Sequence, residues 1–236
     1  MVVEHRTRQK SEFIAGVRDQ LPILLGVAPF GMIFGALALN AGIPQIEAQA
    51  FSLLIFAGSA QFIATGLIAE GTPPLVVVFT ILVVNLRHML YSATMAGSME
   101  RLSGPWKALL AWLLTDEAFA VASIRYRRGD HTHAHWYTFG TGLTLWAAWQ
   151  VSTAIGILLG ARIPSTWSLD FFLPLTFLAL LTPTLTDRPT WAAALTAGIS
   201  AVALAWMPLK LSLLCAAALG IAAGIIAENV LERDRS

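Results

Sequence analysis

Apolar stretches follow one another along this chain, and three consecutive ones carry a polar cluster near the middle. The clusters are Gly58-Ser59-Ala60-Gln61, Asn85-Leu86-Arg87-His88 and Thr115-Asp116-Glu117. Eight apolar segments can be laid out, at about 20–40, 48–69, 74–97, 106–124, 136–160, 168–186, 191–207 and 210–228. Each has roughly 17–25 residues, enough for a helix to cross a hydrocarbon core of about 30 Å. The pattern predicts an all-α, polytopic membrane bundle of about eight spans, or seven if the second segment is re-entrant. Interrupted helices are expected near the midplane. Asp187-Arg188-Pro189-Thr190 reads as a tight helical hairpin, and the proline of Met207-Pro208-Leu209-Lys210 as a boundary. Residues 1–19 are expected to form an amphipathic cytoplasmic segment, 20–228 a single transmembrane domain, and 229–236 a short cytoplasmic tail.

Composition supports this class. Hydrophobic residues make up 56% of the 236 positions and charged ones 12%, with a mean hydropathy of +0.68. A soluble domain carries roughly 25% charged residues. The net charge of +1 offers no face for nucleic acid. Cys215 is a lone cysteine in an apolar segment and forms no internal disulfide. Arg6, Arg8, Lys10 and Arg18 before the first apolar run, with Ala36-Leu37-Ala38 after it, mimic a signal peptide. Glu4, Glu12, Asp19 and Pro29 argue instead for the entry to a first span.

Loop charges set the expected orientation. With eight crossings and a cytoplasmic amino terminus, ten of the 15 basic residues lie inside and four outside, Arg87 being within the membrane. Arg101 and Lys107 fall among the outside four. A re-entrant second segment lowers the contrast, so the positive-inside rule favours eight spans with both termini in the cytoplasm.

The clusters carry the candidate chemistry. A charge at the bilayer centre costs at least about 2.5–3.5 kcal/mol, so it faces a cavity or a partner. Gly58 and Ser59 weaken a helix at its centre and expose backbone groups to a substrate; a close helix contact with Gln61 as interhelical hydrogen bonder is the competing picture. Pro29 removes a backbone donor from the first span and suggests a second interruption. Asn85, His88 and Ser92 share one face of the third segment, Arg87 and Tyr91 a neighbouring one. Arg87 cannot lose its charge and needs an anion, either Asp116 or Glu117 or a substrate carboxylate. His88 is a candidate proton carrier or a permanently neutral hydrogen bonder. Adjacent acids diverge by about 100° on a helix, so one can pair with Arg87 while the other faces the pathway.

Weaker signals remain. His131, His133 and His135 alternate as metal ligands would, yet lie in a predicted loop beside three arginines and read as solvated. Gly31 with Gly35, Gly156 with Gly160 and Gly220 with Gly224 have the spacing of close helix contacts. No phosphate-binding glycine loop is present, so no ATPase and no nucleotide cofactor is expected. Ala57-Gly58-Ser59-Ala60 with His88 weakly suggests an intramembrane serine protease, without independent support.

At these residues the chain resembles the AzlC family, the larger subunits of two-component bacterial branched-chain amino-acid exporters. The resemblance rests on Pro29-Phe30-Gly31 with Phe34-Gly35, Phe56-Ala57-Gly58-Ser59-Ala60-Gln61-Phe62, Asn85-Leu86-Arg87-His88 with Leu90-Tyr91, and Leu114-Thr115-Asp116-Glu117 with Phe119-Ala120. It implies export of branched-chain or similar apolar amino acids across the cytoplasmic membrane, and a small AzlD-like membrane protein as partner. The residues agree with such a substrate. Ser59, Gln61, Asn85 and backbone freed at Gly58 suit the ends of a zwitterion, while Phe56, Phe62 and Met89 suit an apolar pocket. Arg87, His88, Asp116 and Glu117 then form the buried-charge and proton-coupling group. A channel or facilitator for a small polar solute and a membrane-embedded enzyme are the alternatives.

Overall fold

The computed structural model describes residues 2–127, 133–160, 185–207 and 211–233. The expected sixth segment lies almost wholly outside the described residues, as do His131 and Pro208. All regular structure among the described residues is helical. These residues fall into two compact units, one within 1–65 and 81–169, the other within 66–80 and 170–236.

In the first unit, α1 (Val2–Asn40) packs along α7 (Ala134–Gly160). Gly31 faces Ser152, Gly35 faces Thr153 and Gly156, and Gly156 faces the backbone of Met32. Gly16 faces Tyr137 lower on both helices, so the two run parallel. A side chain at these positions would strike the facing backbone, and small residues are what permit such an approach. The Gly31/Gly35 and Gly156/Gly160 spacings thus meet each other within the chain. The same end of the pair is tied by an Arg125–Glu12 ion pair and by the Tyr137 hydroxyl donating to Asp19 at 2.7 Å.

One expectation for α1 changes: it continues through Pro22 and Pro29 without interruption. One lost hydrogen bond is tolerated in a spanning helix whose neighbours hold it. Here α7 holds the stretch after Pro29.

The second and fourth segments are the interrupted ones. The second is α2 (Gln45–Leu54) and α3 (Gly58–Ala69), broken over Ile55-Phe56-Ala57, just ahead of the expected Gly58-Ser59. The third is α4 (Pro74–Ala96), prolonged by one 3-10 turn at Gly97–Met99. The fourth is α5 (Gly104–Leu113) and α6 (Asp116–Arg127), broken over Leu114-Thr115. Both breaks contain the same tight turn: the Ala57 N–H donates to the Ile55 carbonyl at 2.9 Å, and the Thr115 N–H to that of Leu113 at 3.0 Å.

At the fourth segment the eight-crossing layout is corrected. Trp106 of α5 lies 5.1 Å from Trp136 and 5.5 Å from Phe139, near the start of α7. The Tyr126 hydroxyl at the far end of α6 is 3.2 Å from that of Thr138, also near the start of α7. Leu113, by the break, faces Gly142, and Trp112 lies 6.2 Å from Trp146, higher on α7. The segment therefore enters and turns back as a re-entrant hairpin. The second segment doubles back too: the Phe34 ring is 5.8 Å from Phe51 of α2 and 6.1 Å from Phe62 of α3. Hydropathy does not separate a crossing from a hairpin of equal length, because both are apolar throughout. The helices long and apolar enough to cross a membrane among the described residues are α1 from Arg8, α4 with its 3-10 turn, and α7.

In the second unit, α8 (Arg188–Ala203) opens at Asp187, whose carboxylate accepts from the Thr190 N–H at 2.9 Å. It pairs with α9 (Leu211–Arg233), where Gly220 and Gly224 lie against Ala197 and Ala193. The close helix contact expected from those glycines is made within the chain, and its register is antiparallel; the hairpin expected at Asp187–Thr190 has its first arm outside the described residues.

Two outcomes follow from this packing. Gly156→Leu should abolish thermally stable protein in detergent, while Gly26→Leu, with nothing within 4 Å of an added Cβ, should shift the melting point by a few degrees at most. With Cys215 replaced by Ser, cysteines at Arg101 and His133 should react with an impermeant maleimide from one side of the membrane. Labelling from opposite sides would restore the crossing layout.

Candidate functional site

Arg87 stands in the middle of α4, flanked by the apolar run Val83-Val84 before it and Met89-Leu90 after it. Its guanidinium joins the tips of the two broken segments. Nη1 donates to Asp116 Oδ2 at 2.5 Å, and Nη2 to Ser59 Oγ at 2.6 Å. One turn further on, the Tyr91 hydroxyl donates to Asp116 Oδ1 at 2.6 Å. Both carboxylate oxygens of Asp116 are thereby engaged from α4, and the shared face of Arg87 and Tyr91 is the face that does it.

The breaks make this possible. Ser59 is the second residue of α3 and Asp116 the first of α6. A helix start presents backbone N–H groups without intrahelical acceptors and a partial positive charge of about half a unit. Two such starts beside a guanidinium make a strongly electropositive locus. Asp116 answers it at the position where the dipole of α6 itself favours an acid. The pair is not sealed: side-chain exposures are 28% for Arg87 and 40% for Asp116.

The two acids, equivalent by spacing, now separate. Asp116 takes Arg87, whereas Glu117 accepts from the Thr115 hydroxyl at 3.2 Å and stays outside the ion pair. Gln61 is fully buried, and neither atom of its amide has a hydrogen-bond partner among the described residues. Asn85 Oδ1, Arg87 Nε and His88 Nε2 are likewise buried and unpartnered there. The His88 ring lies 6.0 Å from Tyr91. Buried polar atoms are normally satisfied, so this concentration is unusual for a merely structural region.

The apolar candidates divide. Phe56 is buried 6.1 Å from Trp112 at the hairpin tips. Phe62 packs edge-on against Phe34 in the core, because α3 doubles back. Met89 is 67% exposed on the outer face of α4 with Leu86 and Leu90, two residues beyond Arg87 and so turned away from the ion pair. A Cβ at Gly58 would sit 3.2 Å from the Trp149 ring, so this tip approaches α7 as closely as glycine allows.

Two contributors escaped the sequence reading. Tyr91 is one, and a hydroxyl four residues after a buried arginine is the signal for a shared anion. Trp112, whose indole N–H donates to the Leu54 carbonyl at 3.4 Å, links the end of α2 to α5. Only the doubling back of both segments brings those together. Among the described residues no group of three or more metal-ligating side chains forms; His133 packs with His135, and His135 with Trp106 and Trp136.

Fold and site define a helical membrane protein with two interrupted segments meeting at a central ion pair. The chain belongs to the AzlC family, whose profile, described as AzlC protein, matches residues 22–163. It is 33% identical over 235 residues to an uncharacterized membrane protein of Archaeoglobus fulgidus, covering 96% of this chain and 97% of that one. Against the inner membrane protein YgaZ of Escherichia coli it is 30% identical over 175 residues, 72% of this chain and 71% of the other. It is 29% identical over 163 residues to the branched-chain amino acid transport protein AzlC of Bacillus subtilis, covering 68% and 63%. No solved structure matches.

The ion pair gives a direct test. Arg87→Ala leaves Asp116 unpaired, a loss of about 3–5 kcal/mol for a fully buried pair and less at this exposure. The double variant Arg87→Ala/Asp116→Ala should unfold at a higher temperature than either single one. Equal melting points for single and double variants would remove the pair from the site's foundation.

Proposed function

We propose that this chain is the transport subunit of a secondary exporter for branched-chain or similar apolar amino acids. A small AzlD-like membrane protein is its second subunit, and the proton gradient drives it. The observation that carries this reading is the Arg87–Asp116 pair set between two half-helix starts. A zwitterion offers the same two charges as the pair, so it can exchange partners with it. Its carboxylate suits Arg87 and the freed N–H groups at Gly58 and Ser59. Its ammonium suits Asp116, with Asn85 and Gln61 supplying neutral hydrogen bonds. Half-helix starts facing anionic substrate groups are a recurrent carrier device. Glu117, outside the ion pair, and His88 are the groups we assign to proton coupling.

Charge supports an orientation. Arg8, Lys10, Arg18, Arg101, Lys107 and Arg125 lie toward the end where α1 and α7 begin. The Ala41–Pro44 turn after α1 carries no basic residue. The positive-inside rule makes the basic end cytoplasmic, with the amino terminus there. Moving Arg101 and Lys107 to that end, as the re-entrant hairpin does, strengthens the assignment.

Cells lacking their own exporters, given this chain with its small partner, should excrete leucine, isoleucine, valine or methionine when loaded with peptides containing them. Collapsing the proton gradient at constant ATP should lower export. Ser59→Leu, Gln61→Ala and Asn85→Ala should lower it at least about tenfold with the protein still in the membrane, and Glu117→Gln should change its pH dependence. Absence of any apolar amino-acid efflux with a verified partner present would overturn the exporter reading; export that persists without the gradient would overturn the coupling alone.

A further inference from the structure

A cavity lies between α4 and α5, outside the polar cluster. Its volume is about 270 Å³, and its walls include Met95, Met99, Leu110, Ala111 and Leu114. Glu100 and Lys107 stand at one end, both exposed, with the Lys107 ammonium donating to the Glu100 carbonyl at 2.9 Å. Ser92 stands at the other, eight residues and so about 12 Å away along α4. Ser92 follows Tyr91, and Leu114 precedes Asp116 by two positions. The cavity therefore runs from the basic end of the first unit to Ser92, and the apolar cluster that walls it packs against Tyr91, the hydrogen-bond partner of Asp116.

Size and chemistry narrow the occupant. Pockets for drug-sized ligands run from about 300 to 1,000 Å³, so this one holds a single small molecule. Its surface is almost wholly aliphatic and thioether, with the Ser92 side chain at one end and Glu100 and Lys107 at the other. An occupant wholly apolar would leave those ends unused. A molecule with one aliphatic group and a charged head uses both. Methionine walls repack around differing shapes, which fits a set of related side chains.

We propose that the α4–α5 cavity is the loading pocket that selects the aliphatic side chain of the exported amino acid. The inference rests on the exporter reading above and adds to it the residues that set substrate size. The substrate enters past Glu100 and Lys107, seats its side chain between Met95, Met99 and Leu110, and presents its charged head toward Ser92 and the Asp116 carboxylate. Leu114, at the break of the hairpin, forms the floor between pocket and ion pair.

Two variants change the pocket in opposite directions. Ala111→Leu reduces its volume and should lower the leucine-to-alanine preference in counterflow with the partner-containing carrier by about tenfold or more, the order of discrimination one methylene gives. Met99→Ala enlarges it and should admit phenylalanine as a competitor. In a Cys215→Ser background, Met99→Cys should react with N-ethylmaleimide, and millimolar leucine should slow that reaction where glutamate does not. Leucine transport by the unaltered carrier, with unchanged preferences in both variants and no protection by leucine, would overturn the pocket while leaving the exporter reading in place. Slow labelling indifferent to leucine would mean that a lipid chain occupies the cavity, and would overturn it too. If none of leucine, isoleucine, valine and methionine is transported or protective, pocket and exporter reading fall together.

Discussion

A permanent cation halfway along an apolar helix is the constraint on which the rest of this structure turns. Arg87 cannot be neutralised, and placing such a charge in hydrocarbon costs at least about 2.5–3.5 kcal/mol. The fold answers by bringing two helix starts to the middle of the bundle, one offering the Ser59 hydroxyl and the other the Asp116 carboxylate. Continuous helices would carry those side chains but not the free N–H groups beside them. The breaks at residues 55–57 and 114–115 are therefore part of the electrostatic solution. They also leave backbone groups available to a zwitterion.

The scaffold and the latch are built differently. The α1–α7 pair is held by glycine-mediated backbone contact along its length, a packing that leaves little freedom to slide. The hairpin tips bury Phe56, Ala57, Leu113 and Leu114, but what joins them to α4 is a partly exposed ion pair, Arg87 with Ser59 and Asp116, and what joins them to each other is Trp112 with the Leu54 carbonyl and Phe56. Partly exposed hydrogen bonds open at lower free energy than backbone packed against backbone. Motion that alternates access would fall on the tips, with α1 and α7 as the fixed frame.

Tyr91 joins the ion pair to the apolar cluster of Met95, Met99, Leu110 and Leu114. Its ring stacks on Phe119 at 4.5 Å while its hydroxyl holds Asp116, so α4 and α6 are joined through one side chain by apolar and charged contacts at once. Displacing Asp116 toward a ligand would release Tyr91, and with it the wall beside Ser92. The ion pair and the α4–α5 cavity are thus linked through neighbouring residues of one helix.

The amino-acid sequence by itself determined the class of protein, because 56% hydrophobic residues in long runs admit little else. It also singled out Arg87 and Asp116, which the structure pairs, together with His88 and Glu117, since polar groups stand out against apolar flanks whatever the fold. The Gly58-Ser59 break was legible because glycine and serine are poor at a helix centre. The break at Leu114-Thr115 was not, because leucine and threonine bear no such mark. Tertiary structure alone decided that these segments turn back, since hydropathy measures apolarity and not direction. It alone chose Asp116 over Glu117, because a 100° difference between neighbours acquires meaning only once α4 is in place beside one of them. And it sent Phe62 into the core and Met89 outward, because which face of a helix is inside depends on what packs against it.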